Sequence, residues 1–243
     1  MLGTATLVAG VATFTTSAFT VGSHALTAVY SGDTDFNGST SPVDTQTVTK
    51  ANTTTTLTAT PNPSVFGQPV SLTATVSVVA PGGGIPTGTV TFFIGGIPQA
   101  PVTLSGGVAT LTNSTLSVGM HSVRATYNGS GSYNTSTSAT INQTVAKAST
   151  STALTSTPNP SVHGQLVSLT ATVTATAPGA GTPTGTVSFF DGATLLGTGT
   201  LVTGVAAFST STLSVGSHSL TAVYAGSTSF NGSTSPIDTQ TVV

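Results

Sequence analysis

Three histidines recur at one interval, His24, His121 and His218, each 97 residues from the next. Imidazole titrates near neutrality and is a common metal ligand, so a repeated histidine is the first place to look for chemistry. Each follows a glycine by two residues (Gly22, Gly119, Gly216) at the entry to a segment of alternating apolar residues. A metal site would need a second histidine or a carboxylate recurring at ligand spacing, and none recurs. The expected role is a structural corner, with a ring nitrogen hydrogen-bonding back to the chain. The fourth histidine, His163, stands where the preceding copy has Phe66, which points to packing or to a tolerant surface.

A second pattern is sharper locally. Asp33 to Asp44 reads DTDFNGSTSPVD, which matches the front of a calcium loop. Asp33, Asp35 and Asn37 fall at positions one, three and five, Gly38 at six and Asp44 at twelve. The third copy has Ser227, Ser229, Asn231 and Asp238 at these places, and the second has Ser130, Ser132, Asn134 and Ile141. A calcium site needed in every copy would keep its carboxylates. The expectation is a polar hairpin loop, the alternative a weak calcium site in the first copy alone. No other cofactor is indicated.

Catalytic patterns are missing. No serine sits in a nucleophile elbow, no histidine has an acidic partner at a repeated spacing, and the one close acid pair, Asp33 and Asp35, lies on a loop rather than in a cleft. The chain reads as a non-enzyme.

What must position these residues is a tandem repeat. VGSHALTAVY, VGMHSVRATY and VGSHSLTAVY end at Tyr30, Tyr127 and Tyr224, again 97 residues apart. A fixed period of that size means copies of one domain. Residues 1–49 are the second half of a copy, 50–146 a complete one and 147–243 another. Leu2 to Val48 matches Leu196 to Val242 at a constant offset of 194. The opening is therefore domain sequence, and an export signal would lie outside this chain.

Composition narrows the classes further. Only 3% of the 243 residues are charged, the net charge is −2 and cysteine is absent. So few cations exclude a basic nucleic-acid groove or a polybasic membrane surface. No apolar run approaches a membrane span, and no disulfide framework exists. About a third of the residues are Ser or Thr, and Thr suits the solvent face of a pleated strand.

In the middle copy, Val70, Leu72, Ala74, Val76 and Val78 alternate with Ser71, Thr73, Thr75 and Ser77, the period-2 pattern of a half-buried strand. Further strands are expected at 54–60, 89–94, 102–105, 108–112, 121–127 and 139–145, separated by turns such as Pro61-Asn62-Pro63 and Gly106-Gly107. Seven short strands in about a hundred residues predict an all-β fold of tandem Ig-like β-sandwiches. The junctions at Lys50 and Lys147 are too short to be flexible tethers, so successive domains should stack end to end.

Three stretches carry a resemblance: TTLTATPNPSVFGQPVSLTATV, PTGTVTFF, and LSVGMHSVRATYNGSGSYNTSTS followed by QTV. Through them the chain resembles the bacterial Ig-like domain repeats (group 3 type) of large cell-surface and secreted proteins, and the resemblance spans essentially all of it. It implies an extracellular or cell-surface spacer, stalk or adhesive module of a bacterium, without catalytic residues or cofactor.

Residues 2–49 supply about four strands and would expose core side chains such as Phe14, Leu26 and Tyr30, with unpaired edges. Either the chain is part of a longer array or another chain completes the half domain. Expected partners are thus other domains of an array or neighbouring copies, with filament assembly by strand complementation as an alternative. A glycan or surface ligand is the other alternative. Its candidate loops are 82–87 and 128–136, with Tyr133 and its equivalents Phe36 and Phe230.

Overall fold

The computed structural model describes residues 1–243 and contains no helix. Alternation dictates the strands. In Val70–Val78 the residues Val70, Leu72, Ala74 and Val76 are buried, while Thr75 and Ser77 are exposed. Val70–Val78 is flanked by Thr53–Thr60 and Val108–Asn113 in a three-stranded antiparallel sheet. The facing sheet runs Val102–Thr103, Thr89–Ile94, Gly119–Tyr127, Ile141–Ala146 and Ser64–Val65. Its last pair is parallel, Val145 opposite Ser64 and Ala146 opposite Val65. Val70, Leu72 and Ala74 of one sheet meet Val90, Phe92, Val123 and Ala125 of the other in a single core.

The third copy repeats the plan. Thr150–Thr157, Val167–Ala175 and Val205–Thr210 form one sheet. Thr194–Thr200, Thr186–Asp191, Gly216–Tyr224 and Asp238–Val242 form the other, and a separate core lies between them. Short strands that alternation does not reveal, Ser64–Val65, Ile97–Pro98 and Ser136–Thr137, extend the middle copy beyond seven.

The first 49 residues differ. Gly22–Leu26 pairs with Asp44–Val48, and Val29–Tyr30 with Ser39–Thr40, yet no residue before Thr53 is buried. Residues 11–16, which correspond to Val108–Asn113, form no strand beyond a bridge between Val8 and Val11. Val108–Asn113 takes its hydrogen bonds from Val70–Val78, and the first copy has no such neighbour.

The two complete domains meet at one aromatic. Phe66 packs against the cores of both. Its ring stands edge-on to Phe230, with centroids 5.3 Å apart and planes at 80°, a favoured aromatic geometry. The Ala180 N–H donates to the Phe66 carbonyl at 3.2 Å.

Candidate functional site

The repeated histidines occupy one geometry. Nε2 of His24, His121 and His218 lies 2.8 Å from the carbonyl oxygen of Thr20, Ser117 and Ser214, four residues earlier in each case. The positive-φ glycine two residues before each histidine turns the chain so that the ring can reach back. A carbonyl only accepts, so Nε2 carries the proton.

His218 alone has a second partner. Its Nδ1 is 2.6 Å from Asp191 Oδ2, on the adjacent strand Thr186–Asp191. The bonds to the Ser214 carbonyl and then to Asp191 raise the His218 pKa above its ordinary value, and burial opposes them only in part. The middle copy has Ile94 at the place of Asp191, so nothing periodic in the sequence announces the pair. Both ring nitrogens face acceptors, which leaves none to serve as a base toward a substrate.

The Asp33 loop is a turn held from within. Asp33 Oδ1 accepts the N–H of Asp35 and of Phe36, and Oδ2 accepts the Tyr30 hydroxyl, each at 2.8 Å. The Tyr30 hydroxyl, with the two amides, lowers the Asp33 pKa, and the same bond raises that of Tyr30. Ser130 and Ser227 hold the corresponding turns, their hydroxyls accepting the N–H of Ser132 and Ser229 at 3.3 Å. A side-chain oxygen that accepts turn amides serves equally as carboxylate or hydroxyl, which accounts for the loss of acids from copy to copy. Asp44 lies on the strand opposite Leu26, and Asp33, Asp35, Asn37 and Asp44 are not gathered into a cage. No group of three or more His, Cys, Asp or Glu in the chain is placed to hold a metal ion.

The loop aromatics considered for glycan stacking are turned inward. Tyr133 is 9% exposed and Phe230 3%, and Tyr133 donates its hydroxyl to the Gly83 carbonyl. Neither offers a free face to a sugar ring. Only Phe36, in the incomplete copy, is open, at 69%.

Two buried polar positions recur in both complete domains without a sequence expectation attached to them. Gln143 and Gln240 are fully buried amides. Nε2 of Gln143 lies within 3.1 Å of the Pro61 carbonyl, Ser64 Oγ and the Thr144 carbonyl, and Gln240 repeats this with Pro158, Ser161 and Thr241. Tyr127 and Tyr224 are buried with their hydroxyls donating to the carbonyls of Thr87 and Thr184 at 2.6 and 2.8 Å. A glutamine recurring among inward-facing valines was the available signal.

The junction lysines hold loops of the domain they precede. Lys50 Nζ donates to the Ser130 carbonyl at 2.7 Å and Lys147 Nζ to that of Ser227 at 2.6 Å. Just after them, Ala51 and Ala148 bridge to Tyr133 and Phe230. Ala148 is wholly buried, so the linker enters the next domain's core almost at once.

Several solved structures are similar at low identity. Fibronectin(III)-like modules of Clostridium thermocellum CbhA share 16% identity at a TM-score of 0.31, over 77% of this chain and 92% of theirs. The Escherichia coli adhesin FdeC shares 14% at a TM-score of 0.32, over 83% of this chain and 68% of its own. Domains A168-A170 of titin share 10% at 0.46, over 78% and 65%. No curated protein matches the chain. The family described as bacterial Ig-like domain (group 3) matches residues 1–49, 57–146 and 154–243. With two sandwiches on one plan and the second half of a third ahead of them, the chain belongs to the bacterial Ig-like domain family, group 3, as a tandem array.

Proposed function

We propose that the chain is a non-catalytic structural segment of a bacterial extracellular or cell-surface protein, in which Ig-like domains joined end to end act as a stalk or spacer. The observation that carries this reading is the joint at Phe66. One ring is shared by two cores, and a linker that is buried by Ala148 leaves little freedom between the domains. The near absence of charge and the engagement of both His218 nitrogens fit a body whose side chains serve its own fold. The partners are neighbouring repeats.

Single-molecule stretching of the full chain tests the reading. Two separate unfolding steps of equal length are expected. Each releases about 90 residues, or roughly 300 Å of contour at ~3.5 Å per residue. Smooth extension without steps, or one step releasing both domains together, would count against it.

A further inference from the structure

We propose that the Pro-Asn-Pro-Ser turn of each complete domain is a load-bearing lock. Asn62 with Gln143, and Asn159 with Gln240, make their domains strong to tension along the array. The inference rests on the reading of the chain as a stalk and adds which contacts carry the load.

The linkers fix where tension enters and leaves. It enters the middle domain at Ala51, just after Lys50, and leaves at Ala146, just before Lys147. The segments that begin at Ala51 and at Tyr133 run side by side in parallel. Ala51 bridges Tyr133 at one end, and Ser64 and Val65 pair with Val145 and Ala146 at the other. Between these ends the partners keep nearly one offset. The bonds of Thr53 to Asn134 and Ser136, and of Asn62 to Asn142 and Thr144, span 80 to 83 residues. Pulling Ala51 away from Ala146 therefore slides one segment along the other. The bonds between parallel segments are then loaded together and must fail together. A force that opens one end breaks them in turn.

Asn62 fills a gap in this contact. Pro61 and Pro63 have no N–H, so the backbone of the turn cannot pair continuously with the last strand. The Asn62 carboxamide stands in for a peptide group. Its Nδ2 donates to the Asn142 carbonyl at 2.8 Å, and its Oδ1 accepts the Thr144 N–H at 3.0 Å. Gln143, between those two residues, reaches the other way. Its Nε2 donates to the Pro61 carbonyl at 3.1 Å and lies 3.0 Å from Ser64 Oγ. Each segment thus grips the other's backbone with a side-chain amide. The third domain repeats the arrangement. Asn159 donates to the Thr239 carbonyl at 2.7 Å and accepts the Thr241 N–H at 3.0 Å, while Gln240 reaches Pro158 and Ser161. Next to the linker, the Phe66 N–H donates to the Ala146 carbonyl at 2.9 Å and closes the middle lock.

Asn62 and Asn159 are exposed, so at rest water can replace their bonds and each contributes little. Under a sliding load the same bonds must break at once with the buried glutamine contacts beside them, before water has taken their place. Their effect is therefore directional. It is large along the array and small toward a force that peels the two segments apart from the Ala51 end.

Constant-force stretching of the full chain tests this, with handles in two geometries. The chain has no cysteine. Handles can therefore sit at the two termini or, through Thr54→Cys and Thr135→Cys, at exposed sites beside the Ala51 end of the middle domain. At one force the middle domain should unfold at least about tenfold more slowly through the termini than through the paired sites. Asn62→Ala should speed one of the two end-to-end steps about tenfold, and change unfolding through the paired sites by less than about twofold. Asn159→Ala should speed the other step, and the two substitutions together should speed both. Asn62→Ser replaces the alanine variant if that variant does not fold. Equal rates for the parent in the two geometries overturn the proposal. So does an Asn62→Ala effect of one size in both, because Asn62 would then stabilise the domain without bearing load. Two end-to-end steps of equal length with no directional contrast would sink the lock and leave the stalk reading standing.

Discussion

His218 holds acceptors at both ends of its ring, Asp191 Oδ2 at 2.6 Å from Nδ1 and the Ser214 carbonyl at 2.8 Å from Nε2. Only the imidazolium can donate to both. The other carboxylate on this face is Asp238, aligned with Leu220 across the sheet as Asp191 is from the opposite side. The folded-state pKa of His218 lies above the ordinary 6.5, so the protonated pair stabilises the third domain fully below about 6.5. That contribution is lost as pH rises through the raised folded value. Denaturant unfolding of the third domain should weaken over that window. The middle domain, with Ile94 in place of Asp191, lacks this pair and its contribution. Ring proton shifts of His218 should titrate with a midpoint above 6.5, and Asp191→Ile should lower that midpoint and flatten the stability profile. A midpoint unmoved by Asp191→Ile would refute the assignment.

The buried glutamines should be expensive to replace. Gln240→Met keeps the volume but leaves the Pro158 carbonyl and Ser161 without their donor. The expected loss is about 1–3 kcal/mol from the third domain. Gln143→Met should do the same chiefly to the middle domain, because the two cores share only the Phe66 ring. Urea unfolding of the full chain, followed by proteolysis at each step, would show one domain moving per variant. An equal shift of both domains by Gln240→Met, whose partners Pro158 and Ser161 lie away from Phe66, would contradict two cores that meet only at that ring.

Sandwich architecture was legible because alternation and the fixed period are properties of single residues: Val70 to Val78 announces its own buried face. The histidine corner was legible for a similar reason, since its partner is four residues away in the chain. Asp191 was not, because it reaches His218 across a strand pairing and has no counterpart in the middle copy. The match of His163 with Phe66 points to packing or to a tolerant surface, and the two copies divide these outcomes between them. Phe66 is half-buried in the joint, while His163 is exposed. What Phe66 meets, Phe230 of the next copy, lies 164 residues away in the chain, a distance that no local pattern spans. Tyr133 and Phe230 looked like loop aromatics because their flanks are polar, yet the loops fold them back into the cores.

Gly67 and Gly164 give a matched pair for measuring the joint. Both sit in the same turn with left-handed backbones, φ +79° and +82°, so an alanine at either costs roughly 1–2 kcal/mol of strain. Their surroundings differ: a Cβ on Gly67 would overlap the Ala180 backbone of the next domain, whereas one on Gly164 meets nothing within 4 Å. Gly164→Ala should therefore lower the stability of the third domain by the strain alone. Gly67→Ala should add to this an opening of the joint, separating Phe66 from Phe230. The chain has no cysteine, so spin labels can be placed through Thr110→Cys and Ser219→Cys, at exposed sites of the two domains. Pulsed dipolar spectroscopy should give one narrow distance for the labelled parent and for Gly164→Ala, and a broad distribution for Gly67→Ala. Equal widths in all three would mean that the aromatic contact does not hold the domains, and the stalk reading would lose its principal support.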